Sequence, residues 1–292
     1  MRNSSYIKFL VLLLFVFVCA ISFAQSSYSP RQLKKETKIT IDYLTQKYRG
    51  CENMPTGELM IKVALEFLDK PYVSNTLEVN KREKLVLNES QFDCTTFAEN
   101  CLALSRTIKN ETKKQHGLAL YKKELMKIRY RNGKMKGYTS RLHYFSDWIF
   151  DNEQKGIVKN MSCELGAFPF NNYVDYMSAH AGEYKMLANS KKDISKTKFI
   201  EENISKRNSC YIPKGELMNF EDKINDGDII GITTNIPGMD MAHVVLAYHQ
   251  NGRLHIIHAS LKYKKVVIST ETLDEYLMNR KDATGIMVAR PQ

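Results

Sequence analysis

The dipeptide Asn251-Gly252 constrains the fold of this chain more than any other feature. It separates two runs rich in aliphatic residues, His243 to His249 and Leu254 to Ala259, and Asn-Gly favours a two-residue hairpin turn with positive φ. A loop of that length sets the register. Gln250 pairs with Arg253, His249 pairs with Leu254, and Val245 comes to lie opposite His258. Residues two apart share a face of a sheet, so His243, Val245, Ile256 and His258 project to one side. The two histidines are then diagonal neighbours with Cβ atoms roughly 7 Å apart, within reach of two ring side chains. His255 falls on the opposite face. His249 shares the face of His243 but lies about 20 Å along the strand, which does not support a three-histidine zinc site.

Around this hairpin, short strands are expected over Asp228 to Thr233, Val266 to Ser269 and Ile286 to Ala289. A helix over Thr272 to Asn279 precedes the last of them. Upstream, Ile39 to Lys47 and Thr56 to Leu68 read as helices, the second with a broad apolar face that Pro71 closes. Helices first and an antiparallel sheet afterwards predict an α+β domain. Residues of about 110–225 form a lysine- and tyrosine-rich insertion, mainly helical or irregular. Within it Ser140 is expected to cap a helix running to about Phe150, with Leu142, Phe145, Trp148 and Ile149 on its core face. No internal repeat or low-complexity linker divides residues 25–292, which are expected to form a single domain.

The segment Phe92-Asp93-Cys94-Thr95-Thr96-Phe97 opens the central helix, Phe92 to Lys109. Phe97, Cys101, Leu104 and Ile108 continue from Cys94 at three- and four-residue spacing, so the thiol faces the protein body. A helix N-terminus carries roughly half a positive charge, and that field favours the nucleophilic thiolate. Asp93 suits a helix cap rather than catalysis. A strand histidine is more often structural than basic, and a helix-start cysteine is more often core than nucleophile. The joint pattern weighs against those readings: Cys94 as nucleophile, His243 as base and His258 as its orienter form one constellation.

The chain begins with the marks of a secretory signal. Arg2 and Lys8 are followed by an apolar run from Phe9 to Ile21, and Ser22-Phe23-Ala24 supplies small residues for cleavage before Gln25. That run is short for a membrane span, which needs roughly 20 residues, so residues 1–24 are expected to be removed and the protein exported, to the periplasm or beyond, without stable membrane insertion. The 43 Lys+Arg against 32 Asp+Glu suit anionic partners. Export and the scatter of the lysines argue against nucleic acid. Cys51, Cys94, Cys101, Cys163 and Cys210 are an odd set in an oxidising compartment, so at least one thiol stays free. Cys94 is the candidate, and Cys101 suits a buried apolar position. How Cys51, Cys163 and Cys210 pair is left open. No CxxC pair points to structural zinc, and no cofactor is expected.

The Phe92–Phe97 segment, Ala242-His243-Val244-Val245 and Ile257-His258-Ala259-Ser260 resemble the NlpC-type papain-like superfamily of cell-wall cysteine hydrolases. More closely, the chain resembles its N-acetylmuramoyl-L-alanine amidase-like branch of gut Bacteroidetes. The likeness extends over Lys70-Pro71-Tyr72, Thr76-Leu77-Glu78, Arg129-Tyr130-Arg131-Asn132-Gly133, Tyr138 through Trp148, Gly238-Met239-Asp240 and Val288-Ala289-Arg290-Pro291. Thr95-Thr96 stands where the peptide-cleaving members have Ser-Gly, which favours the amidase branch. The resemblance implies a papain-like core with the nucleophile helix packed on an antiparallel sheet. It implies Cys94, His243 and His258 in the roles above, and Tyr72 beside the cysteine, assisting the oxyanion site. It implies hydrolysis of the amide between muramic acid and L-alanine in small, 1,6-anhydro muropeptides, with peptidoglycan fragments as partners. Arg129, Arg141, His143 and Tyr144 are then the candidates for substrate walls. The alternatives are an endopeptidase cutting the stem after D-glutamate and a wall-binding module without catalysis.

Overall fold

A computed structural model describes residues 30–165, 168–171 and 173–292, so the expected signal segment lies outside the described residues. An antiparallel sheet organises the structure. Its strands are β1 (Val158–Asn160), β2 (Phe168–Phe170), β3 (Ser209–Pro213), β4 (Ile229–Thr234), β5 (Met241–Gln250), β6 (Arg253–Ser260), β7 (Lys265–Ile268) and β8 (Ala283–Pro291). They run in the order β2-β3-β8-β4-β5-β6-β7, with β1 also on β8. The β5–β6 hairpin has the register that its turn dictates: Gln250 faces Arg253, His249 faces Leu254 and Leu246 faces Ile257. Asn251 and Gly252 both take positive φ, 54° and 75°, as such a turn requires.

Five helices precede or interrupt the strands on one side: α1 (Pro30–Lys47), α2 (Thr56–Leu65), α3 (Cys94–Asn110), α4 (Gly117–Arg129) and α5 (Phe145–Gln154). Two more, α6 (Lys191–Ser205) and α7 (Leu273–Met278), follow, besides single helical turns at Ser162–Leu165 and Tyr176–Ala179. The alternation of strand side chains produces two cores. Phe97, Ala98, Cys101 and Leu102 of α3 pack with Val244, Leu246, Ile257 and Ala259 on one face. Val245, Ala247, Leu254 and Ile256 meet Leu273 and Leu277 of α7 on the other. The architecture is α+β, as expected from the element order. No helix among the described residues is long and apolar enough to cross a membrane.

The insertion is mainly helical or irregular, as expected, with three short strands besides. It supplies β1, β2 and β3, which extend the sheet beyond β8. These strands are only a few residues long, too short to show a two-residue alternation in sequence. Cys163 and Cys210 are joined by a disulfide, while Cys51, Cys94 and Cys101 are free, Cys101 being buried in the core.

Ser140 does not cap a helix. Its hydroxyl donates to the Gly137 carbonyl at 2.6 Å and accepts from the Lys136 N–H at 2.8 Å, closing a tight turn. The helix starts later, at Phe145, where the Ser146 N–H is satisfied by the Asp240 carboxylate at 2.7 Å. That partner comes from the residue just before β5, so no local signal marks the helix start. Gly231 in β4 makes the approach possible, because a Cβ there would overlap the Met241 sulfur and the Phe145 ring.

Candidate active site

Cys94 is the first residue of α3, and local chemistry fixes that start. Asp93 accepts from the Thr96 N–H at 2.8 Å, and the Thr96 hydroxyl accepts from the Asp93 N–H at 3.0 Å. This reciprocal box satisfies two N–H groups that the helix cannot bond itself, and loss of such a cap typically removes about 1 kcal/mol of stability. The Thr76 hydroxyl donates to the other Asp93 oxygen at 2.8 Å, tying the cap to the chain that follows Tyr72. Asp93 is therefore a cap with both oxygens engaged.

The thiol does not rest as a thiolate. Burial first, and the adjacent Asp93 charge second, push the Cys94 thiol up to about 11. The N–H groups of Val244 and Thr95 and the Thr95 hydroxyl pull the other way but do not prevail. The expected field at the helix terminus, about half a charge, is opposed here by a full carboxylate one residue away. Deprotonation therefore requires a base.

The Val244 N–H contact places Cys94 beside β5 at the residue following His243. His243 Nε2 and His258 Nδ1 lie 2.6 Å apart, with the rings at 73°. Both histidines sit at the open end of the hairpin, away from Asn251-Gly252. Burial, then His258, then Arg280 hold His243 well below the ordinary histidine range, so it is neutral near pH 7 and free to accept a proton. Burial and Arg280 bring His258 down to about 4.

Proton accounting sets the tautomers. With Nε2 of His243 engaged by His258, Nδ1 is the nitrogen that can take a thiol proton. His243 must then carry hydrogen on Nε2 and donate it to His258 Nδ1, which leaves the His258 proton on Nε2. That atom is buried and has no hydrogen-bond partner among the described residues. The Tyr276 ring stands 5.6 Å from the His258 ring at 87°, an edge-to-face geometry suited to an N–H directed at an aromatic face. Tyr276 also stacks at 6.3 Å from His243.

Cys94, His243 and His258 line one cleft of about 320 Å³ with Tyr72, Tyr276 and Arg280. Tyr72 reaches it because its N–H donates to the Lys264 carbonyl at 2.9 Å, extending the strand region next to β7. Burial, then Cys94 and Asp93, push the Tyr72 hydroxyl up to about 12, so it remains a hydrogen-bond donor. The arrangement joins a thiol, a neutral imidazole, a second imidazole and a phenol, which is the equipment for acyl transfer through a thioester.

A family model described as N-acetylmuramoyl-L-alanine amidase-like matches residues 62–286. The chain belongs to this family. A crystal structure of an N-acetylmuramoyl-L-alanine amidase from Bacteroides uniformis is 39% identical, with a TM-score of 0.76, and the match covers 81% of this chain and 99% of that one. A Bacteroides fragilis protein provisionally named a xylanase is 38% identical, with a TM-score of 0.75 over 78% of this chain and 99% of its own. A Legionella pneumophila protein, 18% identical with a TM-score of 0.67 over 90% of this chain and 97% of its own, shares the fold. No curated protein sequence matches.

In this amidase-like chain the residues expected as substrate walls are not among those lining the Cys94 cleft. Arg129 is buried, with Nε donating to Glu99 at 2.7 Å and Nη1 to the Val86 carbonyl at 2.8 Å. Arg141 is buried against Glu78 at 2.8 Å and Glu83 at 3.0 Å, over the Tyr138 ring. The His143 ring bonds the Tyr138 carbonyl at 3.0 Å, and burial with the nearby Arg141 charge brings it down to about 3. The Tyr144 hydroxyl donates to Glu201 at 2.7 Å and accepts from the Met177 N–H at 3.0 Å. These side chains spend their polar groups inside the fold. Conversely, Arg280 and Tyr276 line the cleft without having been singled out in the sequence. The helix that carries Tyr276 and ends just before Arg280 was legible, but its rotation over the hairpin was not.

Proposed function

We propose that the protein is an exported cysteine amidase with a papain-like core of the NlpC type, hydrolysing the bond between the lactyl group of muramic acid and L-alanine in small, 1,6-anhydro muropeptides. The observation that carries this reading is the 2.6 Å contact between His243 and His258 in the cleft that holds Cys94. Family membership supports the amide as the target. The Cys163–Cys210 disulfide supports export, since such bonds persist in oxidising compartments.

In this mechanism the thiol proton passes to His243 Nδ1 as sulfur attacks the lactyl carbonyl. His258 Nδ1 accepts the Nε2–H of the resulting imidazolium and holds its ring in place. The oxyanion is met by the Cys94 N–H, one of the first-turn donors that a helix leaves unbonded, and by the Tyr72 hydroxyl. Collapse expels the alanine amine, which takes the proton back from His243, and leaves a thioester. Water, deprotonated by His243, then attacks the thioester carbonyl, releasing the muramic acid carboxylate and restoring the thiol.

Digestion of purified muropeptides with wild type and Cys94→Ala, analysed by mass spectrometry, tests the proposal. Free sugar with an intact stem peptide from wild type alone is the expected result. Shortened stems still attached to sugar indicate an endopeptidase instead, and equal turnover by both proteins rules out the cysteine mechanism.

A further inference from the structure

Arg280 is the guanidinium of the catalytic cleft, and very little of its hydrogen-bonding capacity is used. It lines the same cavity as Cys94, His243 and His258. One terminal nitrogen donates to the Tyr276 hydroxyl at 3.0 Å, and the guanidinium carbon lies 5.3 Å from the centre of that ring. Its carboxylate neighbour, Asp282, stands 3.6 Å away, with both side chains more than a third exposed. Such a loose exposed pair contributes little. The contrast with Arg129 and Arg141, which are buried on carboxylates at 2.7 to 3.0 Å, is direct. Lys262 adds a second cation to the cleft wall, against the single carboxylate of Glu271.

We propose that Arg280 is the carboxylate-binding, specificity-determining residue of the cleft, taking the free α-carboxylate of the second stem residue, one residue beyond the alanine that leaves. This rests on the amidase reading above. A guanidinium presents paired donors that match a carboxylate in bidentate fashion. Tyr276, stacked 6.3 Å from His243, holds the group on the base side of the cleft. The span from base to guanidinium is then on the order of 10 Å, about three extended residues, and the first free carboxylate past the scissile amide falls within that reach. Tyr276 restrains the guanidinium from one side and leaves its remaining donors for ligand. A substrate amidated at that carboxylate would present no anion and would leave Arg280 with its loose partner.

The test measures calorimetric binding of 1,6-anhydro-N-acetylmuramoyl-L-alanyl-D-glutamate and of its α-amide to Cys94→Ala, which binds without turnover. The expected result is about tenfold weaker binding of the amide, as befits loss of a charge-assisted bond. Adding Arg280→Gln should weaken the free acid about as much and abolish the preference, while Arg280→Lys should restore part of both. In otherwise wild-type enzyme the effect should fall on KM rather than kcat. The proposal is overturned if Arg280→Gln still prefers the acid, or if Cys94→Ala binds acid and amide equally. Binding and sugar release without any acid preference would remove the subsite alone. Failure to bind or cleave either compound would remove the amidase reading and the subsite with it.

Discussion

The hairpin carrying His243 and His258 and the segment from Arg129 to Tyr144 both look, as sequence, like places where substrate chemistry happens. They differ in where their partners come from. In the hairpin, a two-residue turn sets which side chains meet, and the histidines come together at 2.6 Å. In the other segment, three of the four candidates answer to a carboxylate far along the chain: Arg129 to Glu99, 30 residues away, Tyr144 to Glu201, 57 away, and Arg141 to Glu83, 58 away. A functional residue type is informative only when the distance to its partner can be read locally.

The largest effect that sharpens this contrast is on the hairpin side. Cys94→Ala or His243→Ala should lower kcat/KM by about a thousandfold or more, the usual consequence of removing a nucleophile or its base. Thermal unfolding should move little by comparison. If either variant retains a tenth of wild-type turnover, the site lies elsewhere.

The opposite signature is expected for Arg129→Ala. It leaves Glu99 buried and charged, with only a 3.3 Å contact from the Trp148 indole N–H remaining. Breaking a buried pair on one side destabilises by roughly 3–5 kcal/mol, measurable as a lower urea midpoint at unchanged slope. Because Glu99 belongs to α3, activity should fall only as the folded fraction falls. A variant of normal stability with a raised KM would return Arg129 to the substrate wall.

Much of the frame was legible before the structure. The β5–β6 register followed from Asn251-Gly252, the strand spans from β-branched and aliphatic runs, and the start of α3 from Asp93 as a cap. The missing parts share a physical cause. α5 begins where Asp240 reaches Ser146, a tertiary cap with no local trace. β1, β2 and β3 are a few residues each and take their pairing from β8 and one another. The orientation of α7 over the sheet is set by Leu273 and Leu277 packing into the second core, which sends Tyr276 to the histidines. Periodicity gives a helix its apolar face but not the neighbour that covers it. The resting state of Cys94 was misjudged for a related reason: the dipole of α3 was counted, and burial together with the capping carboxylate was not.

Tyr276 offers a smaller effect that tests the tautomer argument. Tyr276→Leu removes the ring that stands edge-to-face with His258, and a weak N–H contact of that kind is worth on the order of 1 kcal/mol, so kcat should fall about fivefold. Tyr276→Phe keeps the ring and should keep kcat, although it loses the Arg280 hydrogen bond. Nitrogen-15 NMR of labelled imidazoles should find the His258 proton on Nε2 in wild type and Phe, and a mixture in Leu. The proton on Nδ1 of His258 in wild type would contradict the relay.

The finest separation of the two regions comes from pH. His243, His258 and His143 all favour the neutral form in the fold: the first is held well below the ordinary range, and the others are brought down to about 4 and about 3. In the unfolded chain each titrates near 6.5. Below about 6.5 the unfolded state therefore binds more protons, and stability falls as pH drops toward the folded values. His143→Gln should flatten this slope, measured as the change in melting temperature between pH 6.5 and 4, because one buried imidazole no longer resists charging. It should leave the acid limb of kcat/KM in place, since that limb reports protonation of His243. The limb itself should lie below 6.5, where a neutral base is retained in moderately acidic solution. His258→Gln should raise it, because an amide oxygen facing His243 Nε2 replaces an imidazole that competes for protons and favours the charged form of the base. If His143→Gln moves the acid limb as far as His258→Gln does, the boundary drawn between the two regions fails.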